Sequence, residues 1–503
     1  MSKFLDALKQ QSNITTTENG AYTYCSTLSD CLDLFYRIGA LRHVSESDIT
    51  SLIERAYAEN KDYTFRIIFF ARDVRGGLGE RRVFRIAMKY LAVTHTESVI
   101  KNLNLFSEYG RWDDLITLYS TDVESIKKNI LQIVRLQLRL DAQGMKDGKN
   151  ISLLAKWLPS INASKNATIT LAKEISKGLN MSYKTYRQTL SSLRKYIDIL
   201  ENRLRTKDYT FEYSKQPAKA MLQYQKAFIR NDGERYMKYL ESVSRGDSTI
   251  NTGTLYPYDI VRKVFNNDEI YISNEERKSL DVTWNALPNV SNNKNSIAVI
   301  DGSASMYWSY LSYVKDATLL PYQVAISLGL YFAEHSNGAF ANHFITFSSR
   351  PRLIEVKGND IVDKINYVKS FNECSNTNVQ AVFDLILNTA LSKKLSQNEL
   401  PETIYIISDM EFDNCVYSGN KPCTNFEQAR NNFKYAGYTL PNVVFWNVAS
   451  RNEQVPVKAH QSGALLVSGF SAKVFDMVQS GNLNPEMFML EIINGDRYNR
   501  ICA

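Results

Sequence analysis

The chain has 503 residues and carries 60 lysine and arginine residues against 53 aspartate and glutamate residues, a net charge of +7 at neutral pH. Its hydrophobic content of 44% and charged content of 22% are typical of a folded globular protein and exclude an extended disordered chain. Two or three domains are expected at this length, and no apolar run approaches the roughly eighteen residues of a membrane helix.

The amino terminus and the cysteines favour an intracellular protein. The first 20 residues lack the apolar segment of a secretory signal. The six cysteines form no CxxC pair, and the five histidines show no metal-binding spacing. We therefore expect free thiols, a cytoplasmic location and no membrane partner.

Residues 1–290 are predicted to form a succession of amphipathic helices. In residues 29–42, for example, Leu32, Phe35 and Ile38 recur at every third position, the spacing of one helical face. Further helical patterns cover residues 61–74, 80–93, 122–143, 167–179, 183–204, 218–231 and 256–267. Paired helices with short turns are typical of a HEAT-like solenoid, although no strict repeat period is present.

A turn within this helical region, "ARDVRGGLGERR", has two open interpretations. Its glycines suit the elbow of a helical hairpin, where positive φ angles are needed. Its amides, bordered by arginines, also suit phosphate binding. The arginines that we assign to RNA on this second interpretation are Arg72, Arg75, Arg81 and Arg82.

The positive charge is concentrated in the helical region. Residues 1–290 hold 43 basic and 34 acidic side chains, whereas residues 291–503 hold 17 and 19. Residues 151–230 alone hold 15 basic and 5 acidic side chains, with tyrosines at positions 183, 186 and 196 among them. The basic candidates for nucleic-acid contact are Lys165, Lys184, Arg187, Arg194 and Lys195, with Arg203 and Arg205 nearby. Such a mixture of basic and aromatic side chains can bind a phosphate backbone and stack on bases. The alternative is that the lysines form an ordinary solvated helix surface and the tyrosines pack within the fold.

From residue 291 onward, short apolar strands alternate with helices. Strands are predicted at residues 296–301, 342–348, 352–356, 403–410, 443–448 and 464–469. Helices are predicted at residues 320–335, 361–371, 379–394, 425–437 and 471–480. This alternation predicts a doubly wound, mainly parallel sheet in residues 291–503, with its functional crevice at the carboxyl ends of the strands.

Hydroxyl and carboxylate side chains occur where these strands end. Asp301, Ser303 and Ser305 follow the first strand of this region, and Asp409 ends a later one. Thr377 lies in a loop before a helix. Hard oxygen ligands of this kind suit Mg²⁺ or Mn²⁺. The alternative is ordinary turn and helix-capping chemistry at a strand end.

No arrangement for catalysis is evident. The G-x-S-x-G elbow of a hydrolase is absent after Gly302, and no histidine has a suitable context. An aspartyl-phosphate enzyme would place an acid at position 303, where this chain has serine. We therefore expect a binding protein, not an enzyme.

The carboxyl-terminal pattern resembles a von Willebrand factor A domain with a metal-ion-dependent adhesion site. That resemblance implies that Ser303, Ser305 and Thr377 ligate the metal, and that Asp301 and Asp409 bind it directly or through water. Ser408 and Asp413 would lie in the outer coordination shell of the metal. One coordination position would stay open for an acidic side chain of a protein partner.

Four amino-terminal stretches resemble the TROVE module, the helical-repeat ring of the Ro ribonucleoprotein autoantigen family: "TENGAYTYCSTLSDCLDLFYRIGALR", "ARDVRGGLGERR", "YGRWDDLI" and "KWLPS". The likeness is to a divergent branch of that family, in which the ring precedes an A domain. It implies binding of single-stranded 3′ ends or small structured RNAs. Two functions are thus expected: an RNA-binding ribonucleoprotein subunit, or a scaffold or virion assembly protein that binds acidic partners.

Overall fold

The computed structural model describes residues 12–265, 272–289, 295–307, 319–371, 377–414, 423–480 and 483–503. Helices dominate the part before residue 290, and a six-stranded sheet flanked by helices follows it. Within the described ranges, no helix combines the length and apolar composition that a membrane crossing requires.

The amino-terminal part begins with a short hairpin, β1 (Ile14–Thr16) paired antiparallel with β2 (Tyr22–Tyr24). The helices that follow are α1 (Asp30–Arg37), α2 (Glu46–Glu59), α3 (Lys61–Arg72), α4 (Arg82–Thr94), α5 (Thr96–Asn102), α6 (Phe106–Tyr109), α7 (Trp112–Tyr119), α8 (Glu124–Lys146), α9 (Leu154–Trp157), α10 (Asn166–Gly178), α11 (Tyr183–Ile197), α12 (Leu200–Arg205), α13 (Ala218–Ser244), α14 (Pro257–Phe265) and α15 (Asn274–Asn285). Within the described residues the predicted helices are confirmed as elements, with one exception at residue 198. Residues 266 and 267 of the helix predicted over 256–267 lie outside the described residues.

The exception is the segment predicted as one helix over residues 183–204. Helix α11 ends at Ile197, and Asp198 adopts a left-handed conformation with φ 51°. The Asp198 carboxylate accepts hydrogen bonds at 2.9 Å from Arg203 Nε on α12, which fixes the reversal. Periodicity alone does not detect such a break, because the apolar spacing continues across it.

The sheet is built from β3 (Ser296–Asp301), β4 (His343–Phe347), β5 (Leu353–Glu355), β6 (Thr403–Ser408), β7 (Asn442–Asn447) and β8 (Ala464–Ser468). Their order is β5-β4-β3-β6-β7-β8, and every neighbouring pair is parallel except the antiparallel pair of β4 and β5. All six predicted strands are confirmed. The flanking helices are α16 (Pro321–His335), α17 (Ile361–Lys369), α18 (Val379–Lys393), α19 (Asn425–Tyr435), α20 (Lys473–Ser480) and α21 (Pro485–Ile493).

Burial explains the strand positions. Every residue of β3, β6 and β8 is buried, as expected for parallel strands with both faces covered by helices. Two apolar clusters lie on opposite faces of the sheet: Ala298 and Ile300 belong to one, and Ile297 and Val299 to the other. The sheet therefore forms a rigid platform for the loops at its carboxyl edge.

The two parts of the chain share an extensive contact. Helix α1 packs near β8, where the Gly39 amide donates to Ser468 Oγ at 3.0 Å. A β-carbon at Gly39 would lie 2.7 Å from the backbone of Gly469, so glycine is needed for this approach. Asp73, fully buried, joins the loop after α3 to the carboxyl-terminal Arg497, whose Nη2 lies 2.7 Å from Asp73 Oδ1.

We expect Arg497→Met to lower the free energy of unfolding by about 2–4 kcal/mol, because it leaves the Asp73 carboxylate buried without its ionic partner. Urea denaturation measures the change. The matched control is Arg500→Met, which removes an exposed pair with Glu108 and should not shift the midpoint. Equal midpoints for the wild type and the Arg497 variant would contradict this role.

Candidate functional site

The carboxyl edge of the sheet brings the predicted acids together. Strands β3 and β6 are neighbours, with Ile300 opposite Ile407, so both chains leave the sheet at the same edge. Asp301 is the last residue of β3, and Asp409 directly follows β6. Both side chains are buried, with exposed fractions of 0% and 2%.

Two serines contact Asp301, and a third lies against one of them. Its Oδ1 accepts the Ser303 amide at 2.8 Å, and its Oδ2 accepts the Ser408 hydroxyl at 2.5 Å. The Ser303 and Ser305 hydroxyls lie 3.0 Å apart. The predicted cluster of one carboxylate and two hydroxyls is therefore present, and Ser408 contacts it directly.

Asp409 contacts an arginine that the sequence did not point to. Arg451, in the loop after β7, places Nη2 3.0 Å from Asp409 Oδ2. The Asp409 Oδ1 accepts the Glu411 amide at 3.3 Å, whereas Oδ2 accepts no well-oriented hydrogen bond. Met410 has φ 68°, a strained conformation for a residue with a side chain, and such strain concentrates at functional sites.

Thr377 lies at the same edge but is joined to the cluster through other residues. It is 2% exposed, and its Oγ1 accepts a hydrogen bond from Asn19 Nδ2 at 3.2 Å. Asn19 also donates to the Glu411 carbonyl at 2.6 Å, and the Asp413 amide donates to the Thr377 carbonyl at 3.0 Å. The two neighbours of Thr377 are further possible loop ligands: Asn376 lies outside the described residues, and the Asn378 side chain accepts the Ala381 amide at 2.8 Å as the cap of α18.

The residues present fit a small divalent cation. Within the described ranges no three histidine, cysteine or acidic side chains are placed to hold a metal ion by themselves, so hydroxyls and water would have to complete the coordination of a cation here. Asp301, Ser303, Ser305 and Asp409 supply hard oxygens. The Asp409 oxygen that lacks a well-oriented donor is a buried acceptor with capacity for a ligand.

The electrostatics of the cluster predict a pH-dependent affinity for metal. Burial, and secondarily Asp409, raises the pKa of Asp301 to about 7, and burial also raises the pKa of Asp409 despite the opposing effect of Arg451. At a pH below this pKa, Asp301 carries a proton that a metal ion must displace in order to bind. We therefore expect Mg²⁺ affinity to fall about tenfold from pH 8 to pH 6. Calorimetry at both pH values checks this, and a pH-independent affinity would contradict it.

The helical part contains a basic groove of about 860 Å³. The groove is lined on one side by α11 and on another by the loop with Ser160 and Asn162. The turn at Asp198 and helix α12 complete the lining. Its basic lining residues are Arg187, Arg194, Lys195, Arg203 and Arg205. The groove therefore exists because α11 stops at residue 197 and the chain turns back.

Not every arginine in the groove is available to a ligand. Arg194 donates to the Ala155 carbonyl at 2.8 Å and the Leu158 carbonyl at 2.6 Å, so it holds the opposite wall. Arg203 pairs with both acids of the groove, Asp198 and Asp208. Among the described residues, the cations of the lining that make neither an ion pair nor a hydrogen bond within the protein are Arg187, Lys195 and Arg205.

The tyrosines of this segment divide by burial. Tyr186 is 1% exposed and donates to the Pro159 carbonyl at 2.9 Å, so it packs in the fold. Tyr183 and Tyr196 are 50% and 38% exposed. Of these three tyrosines, Tyr183 and Tyr196 have an aromatic face exposed to a ligand.

The remaining predicted RNA contacts lie apart from the groove. Arg72 is 2% exposed and pairs with the buried Asp114 at 2.7 Å, which leaves it no surface for RNA and corrects that prediction. Arg82 is half-buried and donates to the Val44 carbonyl at 2.8 Å. The other four are exposed, outside the groove lining: Arg75, Arg81, Lys165 and Lys184.

The glycine-rich turn is an elbow between α3 and α4. The amides of Gly77 and Gly79 donate to the Asp73 carbonyl, and the Glu80 amide donates to the Ala71 carbonyl. The Arg75 amide donates to the Asp73 carboxylate at 2.9 Å. Because these amides are already hydrogen-bonded, the alternative of a phosphate cradle is not supported.

Comparison with known proteins adds two domain families. Residues 17–134 and 132–296 match the family described as a domain of unknown function, DUF2828, and residues 295–489 match the domain of unknown function DUF7788. The chain is also similar to the Uncharacterized protein L728 of Acanthamoeba polyphaga mimivirus, with 30% identity over 522 residues, covering 96% of this chain and 87% of that protein. Since the first family model spans more than half of the chain, this protein belongs to the DUF2828 family.

Proposed function

We propose that this protein is a non-catalytic RNA-binding subunit of a ribonucleoprotein, and that RNA lies in the basic groove. In this proposal the helical part is a divergent HEAT-like TROVE module, and the sheet is a von Willebrand factor A domain. A cytoplasmic location is part of the proposal; it agrees with the free thiols of Cys25, Cys31, Cys423 and Cys502.

The observation that carries the proposal is the unpaired charge of the groove. Arg187, Lys195 and Arg205 face a concave space without neutralising acids, whereas the acids of the lining are already paired with Arg203. Cations held in a concave surface attract a phosphate backbone. Exposed Tyr183 and Tyr196 lie on the same helix and supply faces for base stacking.

Filter binding of a single-stranded RNA at several salt concentrations tests this function. Each phosphate contact contributes about −0.7 to the slope of log K against log salt, so four to six contacts give about −3 to −4. No measurable binding at low salt would reject the RNA proposal. Nucleic acid that copurifies with the protein, detected by absorbance, is a quick independent readout.

The carboxyl edge of the sheet favours a second candidate function, metal-dependent docking of an acidic protein partner. Asp301, Asp409, Ser303, Ser305 and Thr377 would hold Mg²⁺ or Mn²⁺. The cation would supply a coordination position for a carboxylate of the partner. This function fits a scaffold or virion assembly protein. Pull-down with an acidic partner that is weakened, but not abolished, by chelation would support it.

A further inference from the structure

The side chain of Glu18 occupies a polar contact beside the metal cluster. Its Oε2 lies 2.8 Å from Arg451 Nη1, and its Oε1 accepts a hydrogen bond from Asn452 Nδ2 at 2.9 Å. Both carboxylate oxygens are thus bound by residues of the loop after β7. The other amino group of the same guanidinium, Nη2, contacts Asp409.

The fold prepares this contact for a carboxylate. Asn452 is oriented by a second hydrogen bond to Glu411 Oε1 at 2.8 Å, and Arg451 is held between two acids and is only 13% exposed. A ligand with one negative charge is favoured over a ligand with two, because the buried carboxylates of Asp409 and Glu411 lie beside the contact and repel negative charge. A phosphate group would be repelled more strongly than a carboxylate.

The side chain of Glu18 is not needed to hold the loop that carries it; the Glu18 backbone amide donates to Glu411 Oε2 at 2.9 Å. The loop is fixed by Thr17 Oγ1, which donates to the Phe412 carbonyl at 2.6 Å, and by Asn19 Nδ2, which donates to the Glu411 carbonyl at 2.6 Å. The Glu18 side chain is 47% exposed, so it can swing into solvent while the loop stays in place. Its carboxylate is an exchangeable occupant.

We propose that Arg451 and Asn452 form a carboxylate-binding subsite for an acidic peptide partner, and that Glu18 occupies this subsite as an internal competitor. This proposal rests on the second candidate function, the docking of an acidic partner, and names the residues that would bind a carboxylate of that partner. We take the occupancy of the subsite by Glu18 as about nine-tenths. About one molecule in ten is then open, which weakens the apparent affinity for the peptide about tenfold. Removing the Glu18 charge should restore that affinity.

The test is fluorescence anisotropy of a labelled hexaglutamate peptide with the full-length protein in the presence of EDTA. We expect Glu18→Gln to bind the peptide about tenfold more tightly than the wild type. The double variant Glu18→Gln with Arg451→Met should lose that gain. The exposed Glu355→Gln is the charge-matched control, and it should bind as the wild type does.

Three results would overturn the subsite: equal affinity for Glu18→Gln and the control, a gain that persists without Arg451, or equal binding of a hexaglutamine peptide. Competition by inorganic phosphate at lower concentration than acetate would instead assign the subsite to phosphate and reject a carboxylate partner. Because EDTA removes divalent ions, the outcome is independent of the metal site. Calorimetric titration of Glu18→Gln with Mg²⁺ reports separately on the proposed function.

Discussion

Asp301→Asn is expected to weaken Mg²⁺ and Mn²⁺ binding by more than about 100-fold, measured by calorimetric titration. The substitution keeps the shape of the side chain, so the hydrogen bond from the Ser303 amide is retained while the charge is lost. Asp409→Asn should have a similar effect, because its Oδ2 is the buried acceptor that lacks a well-oriented donor.

A matched variant separates this effect from general charge removal. Asp413→Asn removes a carboxylate at the same sheet edge, on the residue whose amide donates to the Thr377 carbonyl. Because Asp413 would lie in the outer coordination shell, Asp413→Asn should change the affinity for divalent cations much less than Asp301→Asn does. Circular dichroism should show folded protein in all three variants. Divalent affinity that is unchanged in Asp301→Asn and Asp409→Asn would exclude a metal site here.

The triple variant Arg187→Gln, Lys195→Gln and Arg205→Gln is expected to weaken binding to single-stranded RNA and to flatten its salt dependence. Removing about three phosphate contacts should make the slope less negative by about 2. The effect should be similar for many RNA sequences, because the contacts are to phosphate. Filter binding of polyuridine and of mixed-sequence RNA measures both quantities.

The control for this variant removes the same charge elsewhere. Lys89, Lys128 and Lys393 are exposed and lie outside the groove, so their replacement with glutamine should change affinity only slightly. An equal loss of affinity in both triple variants would mean that RNA responds to overall charge and not to the groove. Arg194 is omitted from the test because it holds the groove wall.

The position of Asp301 and Asp409 at one edge of the sheet was predictable because its signals are local. Asp301 and Asp409 each follow an apolar strand, and the carboxyl ends of parallel strands meet at one edge. Arg451 and Glu18 carry no such signal. They join this edge from a loop and from the amino terminus, which are separated by more than 400 residues of chain.

The amino-terminal hairpin and the groove show two further limits of sequence patterns. The dipeptide Asn19-Gly20, between runs rich in threonine and tyrosine, is a hairpin signal that the helical reading of this region passed over. For the groove, the charge count pointed to the segment in which the groove lies. Its concave shape, however, depends on the left-handed turn at Asp198 and its pairing with Arg203.

Ultraviolet crosslinking of RNA to the full-length protein in its own cell, followed by identification of the crosslinked peptides, tests the central claim most directly. We expect crosslinks to concentrate between residues 155 and 208, at the groove and at exposed Tyr183 and Tyr196. Sequencing of the attached RNA would identify the ligand. Crosslinks confined to residues 295–503, or none at all, would contradict RNA binding in the groove.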